Sequence, residues 1–443
     1  MIALTLAAIA LQPPPPRLDP RLHDIARSVP PAAMESTIRK LAGFGTRHTF
    51  SDTLSTTRGI GAARRWIKAE FDAIAAGCGG CLEVRYDRGM LKAAPERRIV
   101  KDAELVNVVA IQRGQRHPDR YVLITGHYDS RASDGNDAVS DAPGAVDDAS
   151  GTAAVIEAAR VLSKFRFDKT IVYGALAGEE QGLLGGQQLA GYAKTQGWTI
   201  EGVLNNDIIG NSEGIGGQVD NLTFRIFSEP VPATESDAER RGRRATGGEI
   251  DGPSRQLARY VHGIARAVLP TMRPKLVYRL DRFGRGGDHR AFNDLGFPAI
   301  RITEAFENYH RQHQNVRTEN GVAYGDVPEK VDYPYAARIA GINAAALAAL
   351  AWAPPAPSGV ALRGAGRAST ALAWQPVPGA AGYLVYWRDT TDPLWAMSRF
   401  VPSDLTQVTL DGVLIDDHVF GVASVGATGA ESVVSFAVAA AGR

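Results

Sequence analysis

The chain has 443 residues, long for one domain, and an apolar fraction of 44%, enough to bury an ordinary core. Its 49 basic and 48 acidic residues leave a net charge of +1, which excludes the electrostatic footprint of a nucleic-acid or anionic-membrane binder. Residues 1–10 are apolar and Ala-rich, Ala8-Ile9-Ala10 resembles a small-residue cleavage site, and prolines fill residues 13–16. Residues 1–17 therefore read as an export signal and Pro-rich segment, with a disordered tail as the alternative, because the basic start of a signal peptide is missing. No other run is read as reaching transmembrane length.

Apolar residues at Ile60, Ala63, Ile67, Phe71 and Ile74 predict a helix over 59–76. Cys78 and Cys81 come next, before a strand over 82–86. A redox pair needs its first cysteine at a helix start after a strand, so the expectation is a structural disulfide in an exported protein, or two inert thiols. Strands are predicted over 106–111, 121–125, 170–176, 202–205, 222–227, 276–280 and 299–303. Helices are predicted over 151–164, 183–194, 254–268 and 334–352, the first capped by Asp148 or Ser150. Residues 228–253, with Arg240, Arg241, Arg243 and Arg244, read as a solvated surface insertion. Strands alternating with helices predict an α/β fold, a mixed, mostly parallel central sheet with helices on both faces, over residues 18–353. Ligand sites in such sheets lie beyond the carboxyl ends of the strands.

Pro354-Pro355-Ala356-Pro357 marks a linker, after which the pattern changes to short strands over 371–374, 383–387, 408–410, 419–425 and 433–438. Residues 354–443 thus read as a small all-β sandwich. Trp374, the run Gly382-Tyr383-Leu384-Val385-Tyr386 and the run Phe420-Gly421-Val422-Ala423 resemble a fibronectin type III domain, with Trp374 in its core.

The chemistry sits at four places. Gly126-His127-Tyr128-Asp129 offers an imidazole, with Asp129 able to accept its second N–H and fix the tautomer. Gly144-Ala145-Val146-Asp147-Asp148-Ala149-Ser150-Gly151 sets two carboxylates side by side before a helix, where they repel unless a cation or the helix start compensates. Ala177-Gly178-Glu179-Glu180-Gln181-Gly182 does the same; adjacent side chains diverge, so one Glu can ligate metal while the other faces water. Asp207 follows the next strand, and Tyr309-His310-Arg311-Gln312-His313 supplies two late histidines. Taken singly, each has a plain reading as a helix cap or surface residue. As an ordered set they are the inventory of a two-metal hydrolase: one bridging carboxylate, terminal ligands and a spare base.

Over residues 31–350 these segments resemble the co-catalytic zinc aminopeptidases of metallopeptidase clan MH. The resemblance implies two zinc ions, with His127 and Asp207 on one, Glu180 and His313 on the other, and Asp147 bridging. Asp147 is preferred to Asp148 because the bridging Asp of that family stands four residues before the motif's final glycine, here Gly151. Glu179 is implied as general base, and Asp129, read as fixing the His127 tautomer, is counted with it among the catalytic residues. His313 is preferred to His310 for reach, although Arg317 stands where the family often has an Asp. Asp288 reads as a pocket residue or a helix cap, and Phe306 and Tyr309 as candidate pocket walls. The implied substrates are peptides with a free N-terminus. A carboxypeptidase or dipeptidase, a glutaminyl cyclase and a metal-free binding protein are the competing readings on the same scaffold.

Overall fold

The computed structural model describes residues 18–440, so the expected export segment lies outside the described residues. The chain divides into two compact units, one formed by Pro20–Arg244 and Gly248–Trp352, the other, among the described residues, by residues 353–440 with Ala245–Gly247 and residues 18–19.

In the larger unit three helices lead: α1 (Arg21–Arg27), α2 (Pro31–Ala42) and α3 (Gly59–Gly77). The sheet then alternates with helices: β1 (Glu83–Leu91), β2 (Ala103–Gln112), β3 (His117–His127), α4 (Ala149–Leu162), β4 (Lys169–Leu176), α5 (Leu184–Thr195), β5 (Thr199–Asn206) and β6 (Thr223–Ser228). After α6 (Asp237–Thr246) and α7 (Pro253–Val268) come β7 (Arg273–Val277), α8 (His289–Asn293) and β8 (Ala299–Glu304). A small hairpin, β9 (Arg317–Glu319) and β10 (Val322–Tyr324), precedes the closing helix α9 (Tyr333–Trp352).

The eight strands run in the order β1-β2-β4-β3-β5-β8-β6-β7. The central neighbours β4, β3, β5 and β8 are all parallel, while β1, β2 and the β6–β8 pairing are antiparallel. Four carboxyl ends therefore open on one edge of the sheet. On one face α5 and α8 pack through Leu189, Ala190, Ala193, Ala291 and Phe292 onto Val109, Leu123, Val172 and Val203. On the other, α4 and α9 pack against β3 and β4 and against each other. Their Ala-rich faces allow this close approach. Gly126 serves the same packing: a Cβ there would lie 2.5 Å from the Gly151 carbonyl carbon, so the end of β3 can touch the start of α4.

Several elements differ from expectation. The insertion over 228–253 contains α6, with no buried residue, its Arg243 and Arg240 paired to Glu235. The strand expected over 276–280 is β7, which pairs from Arg273 to Val277 with β6 at the sheet edge, where Pro274 is tolerated. Helix α9 corrects the reading that no further run reaches spanning length: its mean hydropathy is 1.2 over enough residues to cross a bilayer. Of that stretch 94% is buried inside the protein, which is how a core helix scores. Cys78 and Cys81 form a disulfide at the end of α3.

In the smaller unit, β11 (Ala361–Arg363), β12 (Ser369–Ala373), β15 (Gln407–Asp411) and β18 (Val438–Ala439) form one sheet. The other is built from β13 (Gly382–Asp389), β14 (Met397–Pro402), β16 (His418–Val425) and β17 (Ser435–Phe436). Leu362, Leu372, Trp374 and Leu410 of the first face Tyr383, Val385, Phe420 and Val422 of the second. Trp374 is a core residue, 4% exposed and edge-on to Tyr383.

Candidate metal centre

The four parallel strand ends deliver the site. His127 is the last residue of β3, level with Leu176 of β4, and the turn after β4 carries Glu179 and Glu180. Asp207 follows β5, and the loop after β8 reaches back with His313. All of these except Glu179 and His313 are buried.

The adjacent aspartates divide their work. Asp148 caps α4 by accepting from the Gly151 amide at 2.8 Å, and also accepts from His127 N at 3.1 Å and Ile208 N at 3.2 Å. One carboxylate thus ties together the ends of β3 and β5 and the start of α4, and Asp147 is left to face the cleft. His127 Nε2 lies 3.2 Å from Asp147 Oδ1 and 3.9 Å from Asp207 Oδ1. On the other side His313 Nε2 lies 3.0 Å from Asp147 Oδ2 and 2.9 Å from Glu180 Oε1. Two donor groups result, His127–Asp147–Asp207 and Asp147–Glu180–His313, sharing Asp147 through its two different oxygens. His310 is not among them; its ring packs edge-on against Tyr324.

These donors aim at common points rather than at one another. His127 Nε2 and Glu180 Oε1 are buried and make no hydrogen bond despite such close neighbours. Asp207 Oδ2 also lacks an aligned hydrogen bond, although Arg301 Nη1 lies 2.6 Å away. Tetrahedral zinc, with bonds of about 2.0–2.2 Å, sets neighbouring donors about 3.3–3.6 Å apart. The four spans of 2.9–3.9 Å bracket that value, and the imidazole and carboxylate donors are those zinc takes. The residues fit the metal.

The electrostatics make the same demand. Burial works against charging the His313 imidazole, yet Glu180 and Asp147 hold it up to about 10. Burial pushes the Glu179 carboxyl well above the usual range, with His127 opposing and Asp207, Glu180 and Asp288 reinforcing. Crowded carboxylates here call for positive charge, and a proton or a cation meets the call. Glu179 is only half-buried, and among the described residues its carboxylate has no hydrogen-bond partner.

Supporting residues fix the donors. Asp129 accepts from the amides of Glu179 at 3.2 Å and Glu180 at 3.1 Å, and its Oδ1 lies 3.4 Å from His127 Nδ1. The His127 ring nitrogen is also 3.2 Å from the Asp129 carbonyl, so Asp129 positions two stations at once. Three more supports were not foreseen. Asp326 accepts from Asp147 N at 2.7 Å and Val146 N at 2.9 Å, aiming the shared aspartate. Arg47, fully buried, donates to the carbonyls of Tyr128, Leu41, Pro143 and Gly144, clamping the segments after β3 and before α4. Arg301 pairs with Asp207 and donates to Gly286 O at 2.9 Å. Its signal was legible: a guanidinium inside the otherwise buried strand Ala-Ile-Arg-Ile-Thr needs a partner. Asp288 does not cap α8; both its oxygens are buried without a hydrogen-bond partner, and burial pushes its carboxyl up to about 7.

A mixed α/β sheet whose strand ends hold two imidazole–carboxylate groups joined by one aspartate defines a candidate metal-dependent hydrolase. Residues 107–329 match the model of peptidase family M28. A probable zinc metalloprotease from Leptosphaeria maculans is 44% identical over 414 residues, spanning 93% of this chain and 95% of the relative. The chain belongs to peptidase family M28. Among solved structures, the LapA aminopeptidase of Legionella pneumophila is similar in fold, with a TM-score of 0.53 at 17% identity over 77% of this chain and 78% of that one. A Porphyromonas gingivalis glutaminyl cyclase shares the fold too, with a TM-score of 0.50 at 17% identity over 72% of this chain and 98% of that one.

Proposed function

We propose that the chain is a zinc-dependent aminopeptidase that holds two zinc ions and removes residues from the free N-terminus of peptides. The carrying observation is Asp147, whose two oxygens stand 3.2 Å and 3.0 Å from two separate histidines. In this reading His127 and Asp207 hold one ion, Glu180 and His313 the other, and Asp147 both. When bound, zinc supplies Lewis acidity toward a carbonyl oxygen and lowers the pKa of water toward about 7.

The residues of the chain do the rest. Glu179, the carboxylate of the set that would ligate neither ion, takes the proton of the attacking water and returns it to the leaving amine. Asp129 positions Glu179 and Glu180 through their amides and His127 through its ring. Asp326 and Arg301 keep Asp147 and Asp207 from turning away. The zinc reading is further supported by relatives described as probable zinc metalloproteases. Export is consistent with the Cys78–Cys81 disulfide. For the sandwich, the strand orders β15-β12-β11 and β14-β13-β16-β17 and the buried Trp374 support a fibronectin type III-like domain.

The test is hydrolysis of matched peptides with free and N-acetylated termini. Free termini are expected to be cleaved at least tenfold faster, with one residue released per event. Comparable cleavage of blocked peptides, or cyclisation of N-terminal glutamine without hydrolysis, would overturn the aminopeptidase assignment.

A further inference from the structure

Beside the donor centre lies a cavity of about 550 Å³ with the opposite charge. Arg225, Arg279, Arg282 and Arg285 line it, against a single carboxylate, Glu307. Arg225 Nη2 lies 2.9 Å from Glu307 Oε1, and Arg282 and Arg285 lie 3.1 Å and 2.7 Å from Oε2, so one carboxylate is shared by three guanidiniums. Arg279 is exposed and, among the described residues, has no ion-pair partner; its guanidinium stands 5.6 Å over the ring of Phe283. The rim adds two large exposed aromatics, Phe283 at 88% and Tyr309 at 56% exposure. Net positive charge is thus gathered in an open recess rimmed by aromatic rings, a setting that attracts an anion.

The cavity is joined to the donor centre at two points. Gly286 O accepts from Arg282 Nη2 and from Arg301 Nη1, each at 2.9 Å, and Arg301 holds Asp207. Arg285 Nη1 lies 3.3 Å from Oε1 of Gln312, the neighbour of His313. A peptide bound at the centre by its free N-terminus would thus have this basic, aromatic-rimmed recess on the side of Asp207 and His313.

We infer that this arginine-lined cavity is a substrate subsite that binds a carboxylate, supplied by an acidic side chain or by the C-terminus of a short peptide. Guanidinium forks suit carboxylate oxygens in paired geometry, and Arg279, with no carboxylate of its own, is the arm free to engage. The inference rests on the peptidase assignment for its substrate, and the tests separate the two.

Two measurements decide it. In the first, kcat/KM is compared for peptides of equal length that carry glutamate or glutamine beside the scissile bond, and for free-acid against amidated C-termini. At least one carboxylate is expected to raise kcat/KM about tenfold, and which pair shows the effect identifies the source. Arg279→Ala and Arg285→Ala are expected to erase that ratio, lowering acid substrates far more than their neutral partners. Equal rates across both pairs, or equal losses on both, would overturn the subsite. In the second, glutarate and glutaramide are titrated calorimetrically into the wild-type protein and the Arg279→Ala/Arg285→Ala variant. Glutarate alone is expected to bind, at least tenfold more weakly in the variant and more weakly with added salt. If no peptide is cleaved but glutarate binding behaves so, the peptidase assignment fails and the subsite stands; indifference between diacid and diamide overturns the subsite.

Discussion

The donor centre and the arginine cavity sit side by side and solve one problem in opposite signs. In the centre, Asp147, Glu179, Glu180 and Asp207 crowd together with two imidazoles between them; in the cavity, three guanidiniums crowd one glutamate. Like charges gathered inside a protein repel and lose hydration, so each cluster is stable only with compensating charge. The centre leaves His127 Nε2, Glu180 Oε1 and Asp207 Oδ2 without hydrogen bonds, whereas the cavity surrounds Glu307 with guanidiniums that override burial and hold its carboxyl down at about 2. The first is built to be completed by a cation. The second is neutralised in part and keeps an exposed arm, Arg279. A third cluster size, a lone acid, is found in the sandwich: burial pushes the Glu431 carboxyl up to about 7, with Tyr386 opposing at 2.7 Å. A single buried acid can escape its cost by taking a proton, and a crowd cannot.

The comparison can be broken at each point. Glu179→Gln removes the proposed base and none of the proposed metal donors, so zinc content is expected to persist while kcat falls roughly 10²–10⁴-fold. Retained turnover would move the base elsewhere. Glu307→Gln leaves Arg225 and Arg285 without their carboxylate and Arg282 with Asp281 alone, with an expected loss of about 3–5 kcal/mol in chemical denaturation, partly restored by added glutarate. An unchanged midpoint would mean that the cavity charges are already solvated. Arg301→Met frees Asp207 to turn, and zinc affinity is expected to drop roughly 10–100-fold by competition with a chelator. Equal affinity would make Arg301 a matter of packing alone.

The smallest effect belongs to the lone acid. Because the fold prefers protonated Glu431, its contribution is complete below the ordinary value of 4.5 and is lost as pH rises through about 7. The loss is on the order of 2 kcal/mol after discounting partial exposure. Denaturation followed by tryptophan fluorescence is expected to show the sandwich weakening over that window. Glu431→Gln is expected to flatten the dependence; an unchanged slope would assign it to another group.

Local pattern carried much of the layout. His127, Asp147, Glu179, Glu180 and Asp207 were legible because parallel strands put their carboxyl ends on one edge, and a motif just past each end lands in one cleft. The supports were harder to see because they act across the chain: Asp326 reaches Asp147 over 179 residues, and Arg47 reaches Tyr128 over 81. No local periodicity encodes such a pairing. His313 sits on a loop rather than a strand end, with its φ at +51°, so spacing alone could only rank it above His310. In the sandwich, β14 escaped notice because it is an edge strand whose first residues are exposed, without the alternation a half-buried strand shows. Helix α8 has only five residues, too few to display a period.

The most direct test of the shared aspartate is zinc content, measured by elemental analysis on purified protein and its variants. About two zinc ions per chain are expected for the wild type, about one for His313→Ala, and less than one for Asp147→Ala, which removes a donor from both groups. A wild-type value of one, or a His313→Ala value equal to the wild type, would contradict a centre in which Asp147 joins two metal ions.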